Sequence, residues 1–293
     1  MPWPRLRQLT AYMGQVMNIL NIDYTHPLAN KQFSESLQHT GFAVLENHPI
    51  SSALIDSIYS EWINFFNSDD KNRYLYKRET QDGYFPPSVS EKAKGASLKD
   101  IKEFFQYYPW GQYPSIMSQD TKTLYQQLTD LAATLLTWLE NTLPVNVSNQ
   151  LSMPFSRMIN QSDQTMLRIL HYPPLTGSEP AGAVRAAAHE DINLITLLVG
   201  ATSSGLQVKD NLGNWHEVPC SKESIVVNAG DMLDLATSGY YRSTTHRVVN
   251  PELNNVARLS MPLFLHPRPE VSLSPEKTAR QYLHERLTEL GVL

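Results

Sequence analysis

A chain of 293 residues, 41% hydrophobic and 18% charged, can bury a sizeable core as one large domain or two small ones. Its formal net charge of −5 argues against nucleic acid as the main partner, because nucleic-acid binders carry a basic face. One cysteine, Cys220, excludes an intramolecular disulfide and a cysteine-rich zinc site, and suits a reducing compartment.

The first residues carry basic groups, but Gln8, Tyr12 and Gln15 interrupt any apolar signal-peptide core. Residues 1–17 are read as a poorly ordered extension, with Met13 and Met17 as alternative starts. No stretch approaches the roughly 18 apolar residues of a membrane span, so the expectation is a cytoplasmic protein without membrane contact.

Residues 18–150 are expected to mix helices with short strands. Ile19–Tyr24 and Gly41–Glu46 read as strands, and Asn30–Thr40 as a helix. From Ser52 to Phe66 the apolar residues Leu54, Ile55, Ile58, Tyr59, Trp62 and Phe65 recur at helical spacing, the mark of a core-facing helix. Asp69–Ser97 is polar, and its Gly83, Pro86 and Pro87 predict a loop without regular structure. Asp100–Tyr108 is strand-like and aromatic-rich. Thr121–Leu143 carries the longest helical pattern, closed by Pro144, and reads as a scaffold across a sheet.

After Asn160 the texture changes to short β-rich runs separated by turn signals: Met166–Tyr172, Ile192–Val199, Leu206–Lys209, Trp215–Val218, Ser224–Asn228, Met232–Leu235, His246–Val249 and Leu259–Leu265. Many short strands with frequent turns imply a sandwich or barrel, here over 160–268. Residues 269–293 end in a helical pattern, Lys277–Leu290.

Chemistry concentrates in Ala186–Leu198, AAAHEDINLITLL, read as a β-strand. Side chains at i and i+2 of a strand leave the same face, so His189 and Asp191 project into one space. By itself the pair fits a surface-facing edge strand equally well. His246, in the strand-like run Tyr240–Val249, offers a third ligand. Two histidines and one carboxylate, with positions left open on the metal, form the facial triad of non-haem Fe(II) oxygenases. A zinc hydrolase fits less well, since the sequence has no His-Glu-x-x-His helix. Arg258 and Ser260 also lie two apart on a strand. A guanidinium fork beside a hydroxyl suits a carboxylate, and Tyr172 offers a third donor.

The ordered set is specific where each piece is not. Tyr172-Pro173, His189-x-Asp191, Gly205-Leu206-Gln207-Val208, Asn228-x-Gly230-Asp231, His246-Arg247-Val248 and Arg258-x-Ser260 together resemble the Fe(II)- and 2-oxoglutarate-dependent oxygenase superfamily, in its isopenicillin N synthase-like branch. Gly41-Phe42, Asn47-His48, Ile50, Phe65-Phe66, Lys71, Gly83-Tyr84 and Lys102-Glu103-Phe104 extend the resemblance through the N-terminal half, from about Ile19 to Pro267.

The resemblance implies a double-stranded β-helix, or jelly-roll, core with flanking helices. It implies Fe(II) held by His189, Asp191 and His246, and 2-oxoglutarate held through its distal carboxylate by Arg258 and Ser260 near Tyr172. It implies O2-dependent hydroxylation or desaturation of a small-molecule substrate, with release of succinate and CO2. Leu170 stands where plant relatives often have Asn, which removes one polar contact to the cosubstrate. The rival readings are an oxidase of the isopenicillin N synthase kind that needs no 2-oxoglutarate, and a non-catalytic jelly-roll ligand-binding protein.

Further pocket candidates follow from strand parity or from the resemblance. Arg168 shares the face of Tyr172, and Phe264 that of Arg258. Tyr84 and Phe104 are pocket or lid candidates by resemblance. His171 has the opposite parity and is expected to face away, and Asp231 reads as a turn former. His216 and His266 have no partner at ligand spacing.

Overall fold

The structure is a computed structural model that describes residues 17–89, 100–179, 184–200, 205–219, 221–250 and 255–291. Most of the extension expected at 1–17, the end of the loop expected to Ser97, and Cys220 lie outside the described residues.

In chain order the elements are β1 (Asn21–Asp23), α1 (Ala29–Thr40), β2 (Phe42–Glu46), α2 (Ser52–Phe66), β3 (Gly83–Phe85), β4 (Glu103–Tyr107), α3 (Asp120–Thr142), α4 (Val145–Ser148) and α5 (Phe155–Ile159). They continue as β5 (Met166–Tyr172), β6 (Ala186–His189), β7 (Ile195–Val199), β8 (Leu206–Lys209), β9 (Trp215–Glu217), β10 (Ile225–Ala229) and α6 (Asp231–Ala236). Last come β11 (His246–Val248), β12 (Arg258–Leu265), the hairpin β13 (Ser272–Ser274) and β14 (Lys277–Thr278), and α7 (Ala279–Glu289). No described helix is long and apolar enough to cross a membrane.

Eight strands form a major sheet in the order β1-β2-β10-β7-β12-β5-β4-β3, and four form a minor sheet, β6-β11-β8-β9. Helices α1, α2 and α3 pack on the outer face of the major sheet, and α7 borders the cavity on the other side. This is the expected mainly-β jelly-roll with flanking helices.

Strand parity sorts the side chains of the major sheet into two environments. Leu167 and Ile169 of β5, Leu197 of β7, Val227 of β10 and Leu263 of β12 join Phe33 of α1, Trp62 of α2 and Leu128 and Leu135 of α3 in the main core. Their alternates Arg168, Leu170, Leu198, Pro262 and Phe264 face a cavity of about 480 Å³ between the sheets. A second apolar cluster, Phe42, Val44 and Val226 against Leu206, Val208 and Val248, joins the sheets beside that cavity.

Four expectations are corrected. Ala186–Leu198 is two strands in different sheets, because the Asn193 amide turns the chain by donating to the Ile195 carbonyl (2.7 Å). Met232–Leu235 is helical within α6: Gly230 enters extended, and its carbonyl accepts from Asp234 N (3.1 Å). Gly83–Phe85 is a strand after all. It takes the outer edge of the sheet, where the following prolines cost no ladder bond. The strand expected over Tyr240–Val249 is confined to His246–Val248. At the C-terminus, Thr278 and Gln281 form a capping box that starts α7 two residues after Lys277.

Gly41 joins α1 to β2 in a left-handed conformation (φ 73°), and a Cβ there would lie 2.3 Å from Thr244 Oγ1. Gly41→Ala is therefore expected to cost about 1–3 kcal/mol of unfolding free energy, read by denaturant titration. A loss below about 0.5 kcal/mol, the range of an ordinary surface substitution, would contradict that.

Candidate metal centre

His189 closes β6 and His246 opens β11, and the two are paired directly across the minor sheet. Asp191 sits in the loop after β6, not on a strand. That loop is pinned from α6: Asp231 N donates to the Asp191 carbonyl (2.7 Å) and Met232 N to that of Asn193 (3.1 Å). Donor atoms of the three residues lie within 4.8 Å of one another. His189 Nε2 is 3.8 Å and His246 Nε2 3.7 Å from Asp191 Oδ1.

Each ligand candidate is oriented by its other polar atom. His189 Nδ1 donates to the Ala187 carbonyl (2.7 Å) and His246 Nδ1 to the Thr244 carbonyl (3.1 Å). A carbonyl only accepts, so both protons sit on Nδ1 and both Nε2 lone pairs turn towards Asp191. Asp191 Oδ2 accepts from Thr196 Oγ1 (2.5 Å) and Asn228 Nδ2 (2.8 Å), which leaves Oδ1 as the inward oxygen.

Burial disfavours the Asp191 anion, but the two imidazoles, Asn228 and Thr196 outweigh it and hold the carboxyl below its usual range. Burial, then His246, pushes the His189 imidazolium down, so the ring stays neutral as a ligand must be. Two imidazole Nε2 atoms and one carboxylate oxygen beside an open cavity fit a divalent iron with positions to spare.

Removing the Asn228 amide frees Oδ2 to compete for the metal. Asn228→Ala is expected to weaken Fe(II) binding about 10- to 100-fold in an anaerobic metal titration. Unaltered affinity would show that Thr196 alone fixes the carboxylate.

Arg258 and Tyr172 face each other across β12 and β5, and Ser260 faces Leu170 one row on. Arg258 is 1% exposed, and its guanidinium lies 5.2 Å from the centre of the Tyr172 ring. Arg185, also buried, approaches the same ring (5.9 Å) and donates to the Val256 carbonyl (2.7 Å). Arg258 and Tyr172 line this end of the cavity, while Arg185 lies behind the ring and is not among the lining residues, so the group this end offers to an anion is the Arg258 guanidinium.

Arg168 and Phe264 line the same cavity, while Tyr84 and Phe104 are not among the residues that line it. Tyr84 pairs with Phe105, whose side chain faces the helices, so its hydroxyl turns outward to Glu103. Lys71 (3.1 Å) and His171 (2.8 Å) hold that carboxylate too, so His171 faces away from the cavity. Phe104 has the inward parity but lies beneath the surface, stacked on Phe85 and covered by Arg168.

Sequence reading passed over several residues here. Asn228 and Thr196 are second partners of Asp191, a candidate ligand. Asn228 was visible in its motif, whereas Thr196 becomes relevant through its register beside Asn228. Lys102 and Asp100 form a cavity-lining ion pair (2.8 Å) whose Asp100 Oδ1 accepts from Ala187 N, two residues before His189. Arg185 and His266 carry no spacing signal at all.

Two family models match the chain: the 2OG-Fe(II) oxygenase superfamily over residues 163–267, and the N-terminal region of a non-haem dioxygenase in morphine synthesis over residues 20–128. The 2-oxoglutarate-dependent dioxygenase citB of Monascus ruber is 31% identical over 265 residues, covering 80% of this chain and 78% of that protein. The chain belongs to the 2OG-Fe(II) oxygenase superfamily. A protein of Shewanella oneidensis described as an oxygenase superposes on this oxygenase with a TM-score of 0.86 at 50% identity, covering 94% of this chain and all of the other. Scopoletin 8-hydroxylase of Arabidopsis thaliana is 26% identical over 93% of this chain and 76% of its own. The oxygenase is thus a non-haem Fe(II)- and 2-oxoglutarate-dependent dioxygenase that uses O2 to oxidise a small-molecule substrate, which sets aside the oxidase, non-catalytic and hydrolase readings.

Proposed function

We propose that His189 Nε2, Asp191 Oδ1 and His246 Nε2 hold the Fe(II), and that Arg258 and Ser260, beside Tyr172, hold the distal carboxylate of 2-oxoglutarate. Arg168 and Phe264 belong to the substrate half of the cavity. The oxygenase works on a free small molecule, not a nucleic acid, in the cytoplasm. The net charge of −5 and the single cysteine support these last two points.

The observation that carries the metal assignment is the pair of Nδ1–carbonyl hydrogen bonds. They aim both Nε2 atoms at one carboxylate oxygen whose partner oxygen is already occupied.

When bound, iron and 2-oxoglutarate supply the oxidising chemistry, in which O2 is reduced as the keto acid loses CO2 and becomes succinate. The protein supplies position and exclusion. Arg258 fixes the far end of the cosubstrate. Thr196 and Asn228 limit Asp191 to one ligating oxygen. Leu170, Leu198 and Pro262 form an apolar floor that keeps bulk water from the reacting groups.

Adding Fe(II) and 2-oxoglutarate to the protein without oxygen is expected to give a weak visible charge-transfer band, and admitting oxygen is expected to give succinate. Iron binding with neither signal would remove the Arg258 clamp from the reading. Absence of iron binding would remove the triad.

A further inference from the structure

His189 is the ligand candidate that the sheets secure least. It closes β6, a four-residue strand at the edge of the minor sheet, which pairs on one side only, with β11. That pairing carries a register shift between His246 and Val248. The His189 ring is also the less enclosed of the two, 37% exposed against 9% for His246. Its aim rests on the bond from Nδ1 to the Ala187 carbonyl (2.7 Å). Whatever holds Ala187 therefore holds the ring.

The free edge of β6 is closed by a piece of chain that is not a strand. Just before β4, Ile101 N donates to the Val184 carbonyl (3.1 Å), and Asp100 Oδ1 accepts from Ala187 N (3.0 Å). A carboxylate thus takes the place that a neighbouring strand would fill. Asp100 and Lys102 are both buried, and their contact at 2.8 Å supplies the counter-charge that a buried carboxylate needs. Both line the cavity, and the Lys102 charge reaches the His189 ring, where it disfavours the imidazolium. Ala187 is gripped at both ends, its N–H by Asp100 and its carbonyl by His189. A continuous line of contacts therefore runs from Lys102 through Asp100 and Ala187 to His189. The other two ligand candidates have supports of their own. His246 lies on β11, between β6 and β8, with its ring edge-on to Phe42 (5.5 Å), and the Asp191 carbonyl is tied to α6.

We propose that Asp100 and Lys102 are positioning residues for His189. Asp100 holds Ala187, which keeps the His189 proton on Nδ1 and turns Nε2 to the metal, and Lys102 holds the Asp100 carboxylate in place. This rests on the assignment of His189 as an iron ligand and goes beyond it, because neither residue is one of the three metal donors. Groups that orient a ligating imidazole in this way affect metal affinity about 10- to 100-fold.

The test reads the ring tautomers of isotope-labelled histidine by NMR in the metal-free protein, and then measures Fe(II) affinity by anaerobic titration. In the wild type, His189 and His246 are both expected in the Nδ1–H form. Asp100→Ala is expected to move a large share of His189 into the Nε2–H form and to leave His246 unchanged, since its bond to the Thr244 carbonyl is untouched. Fe(II) affinity should fall about 10- to 100-fold. Asp100→Asn keeps an acceptor for Ala187 N and should restore part of both readings. General loosening of the fold would neither single out His189 nor be repaired by asparagine. An alanine variant that keeps His189 in the Nδ1–H form, that binds Fe(II) as the wild type does, or that disturbs His246 equally overturns the proposal. If the alanine variant does not fold, Lys102→Met reads the same line from its far end: it should mix the His189 tautomers and spare His246, and a failure to do so overturns the proposal as well. If the wild type binds no Fe(II), the iron assignment fails, and the tautomer readings alone decide whether Asp100 positions His189.

Discussion

Asp191→Ala is expected to abolish Fe(II) binding at metal concentrations that saturate the wild type, with an affinity loss well beyond the roughly 100-fold of an outer-shell substitution. The carboxylate is the one anionic donor of the triad, and it stands between two imidazoles at 3.7 and 3.8 Å. Without it the two rings face each other across 4.4 Å with no negative charge between them. Thr196 and Asn228 also lose their common acceptor, which removes two of the side-chain ties that hold the loop from Glu190 to Leu194. Metal analysis after anaerobic dialysis reads the loss directly. Thermal unfolding gives an independent view: at free metal near 100 times Kd, the wild type gains about 2.7 kcal/mol from Fe(II), and the variant gains nothing. A variant that binds iron within tenfold of the wild type would show that Asp191 is not a ligand.

How far the sequence could lead here depended on what kind of signal each residue carried. Met166–Tyr172 was legible to the residue, because a short run rich in apolar residues and closed by Pro173 suits a strand buried on both faces. The company of His189 and Asp191 was legible too, yet strand parity is not what causes it. Asp191 reaches the cavity through a turn whose maker, Asn193, was hidden inside an apolar run. Met232–Leu235 failed for a related reason: four apolar residues suit a strand or a helical turn equally, and the decision lies with the Gly230 carbonyl and the Asn193 loop. Tyr84 could be placed only from its cross-strand partner Phe105, a fact of register and not of composition. His266 enters the site because strands distant in sequence come together there, and no local pattern announces that.

Arg258→Ala is expected to raise the 2-oxoglutarate concentration for half-maximal turnover by about 30-fold to several thousand-fold, the equivalent of the 2–5 kcal/mol lost when one partner of a buried charged contact is removed. The size follows from burial. Arg258 is 1% exposed, and its guanidinium is held over Tyr172 at the closed end of the floor, where water screens a carboxylate poorly. Fe(II) affinity without cosubstrate should change little, since Arg258 lies on β12 while His189 and His246 belong to the minor sheet. Arg258→Lys keeps the charge but not the planar fork, so it should fall between wild type and alanine. Ser260→Ala removes a single neutral donor and should cost only about 0.5–1.5 kcal/mol, or a few-fold. The ordering is the decisive measurement. If alanine and lysine at 258 behave alike and Ser260→Ala exceeds both, the carboxylate is held by the hydroxyl row and not by the guanidinium. If none of the three moves the half-saturating concentration, the positive end of the cavity at Arg258 serves a different anion, and 2-oxoglutarate binds elsewhere on the floor.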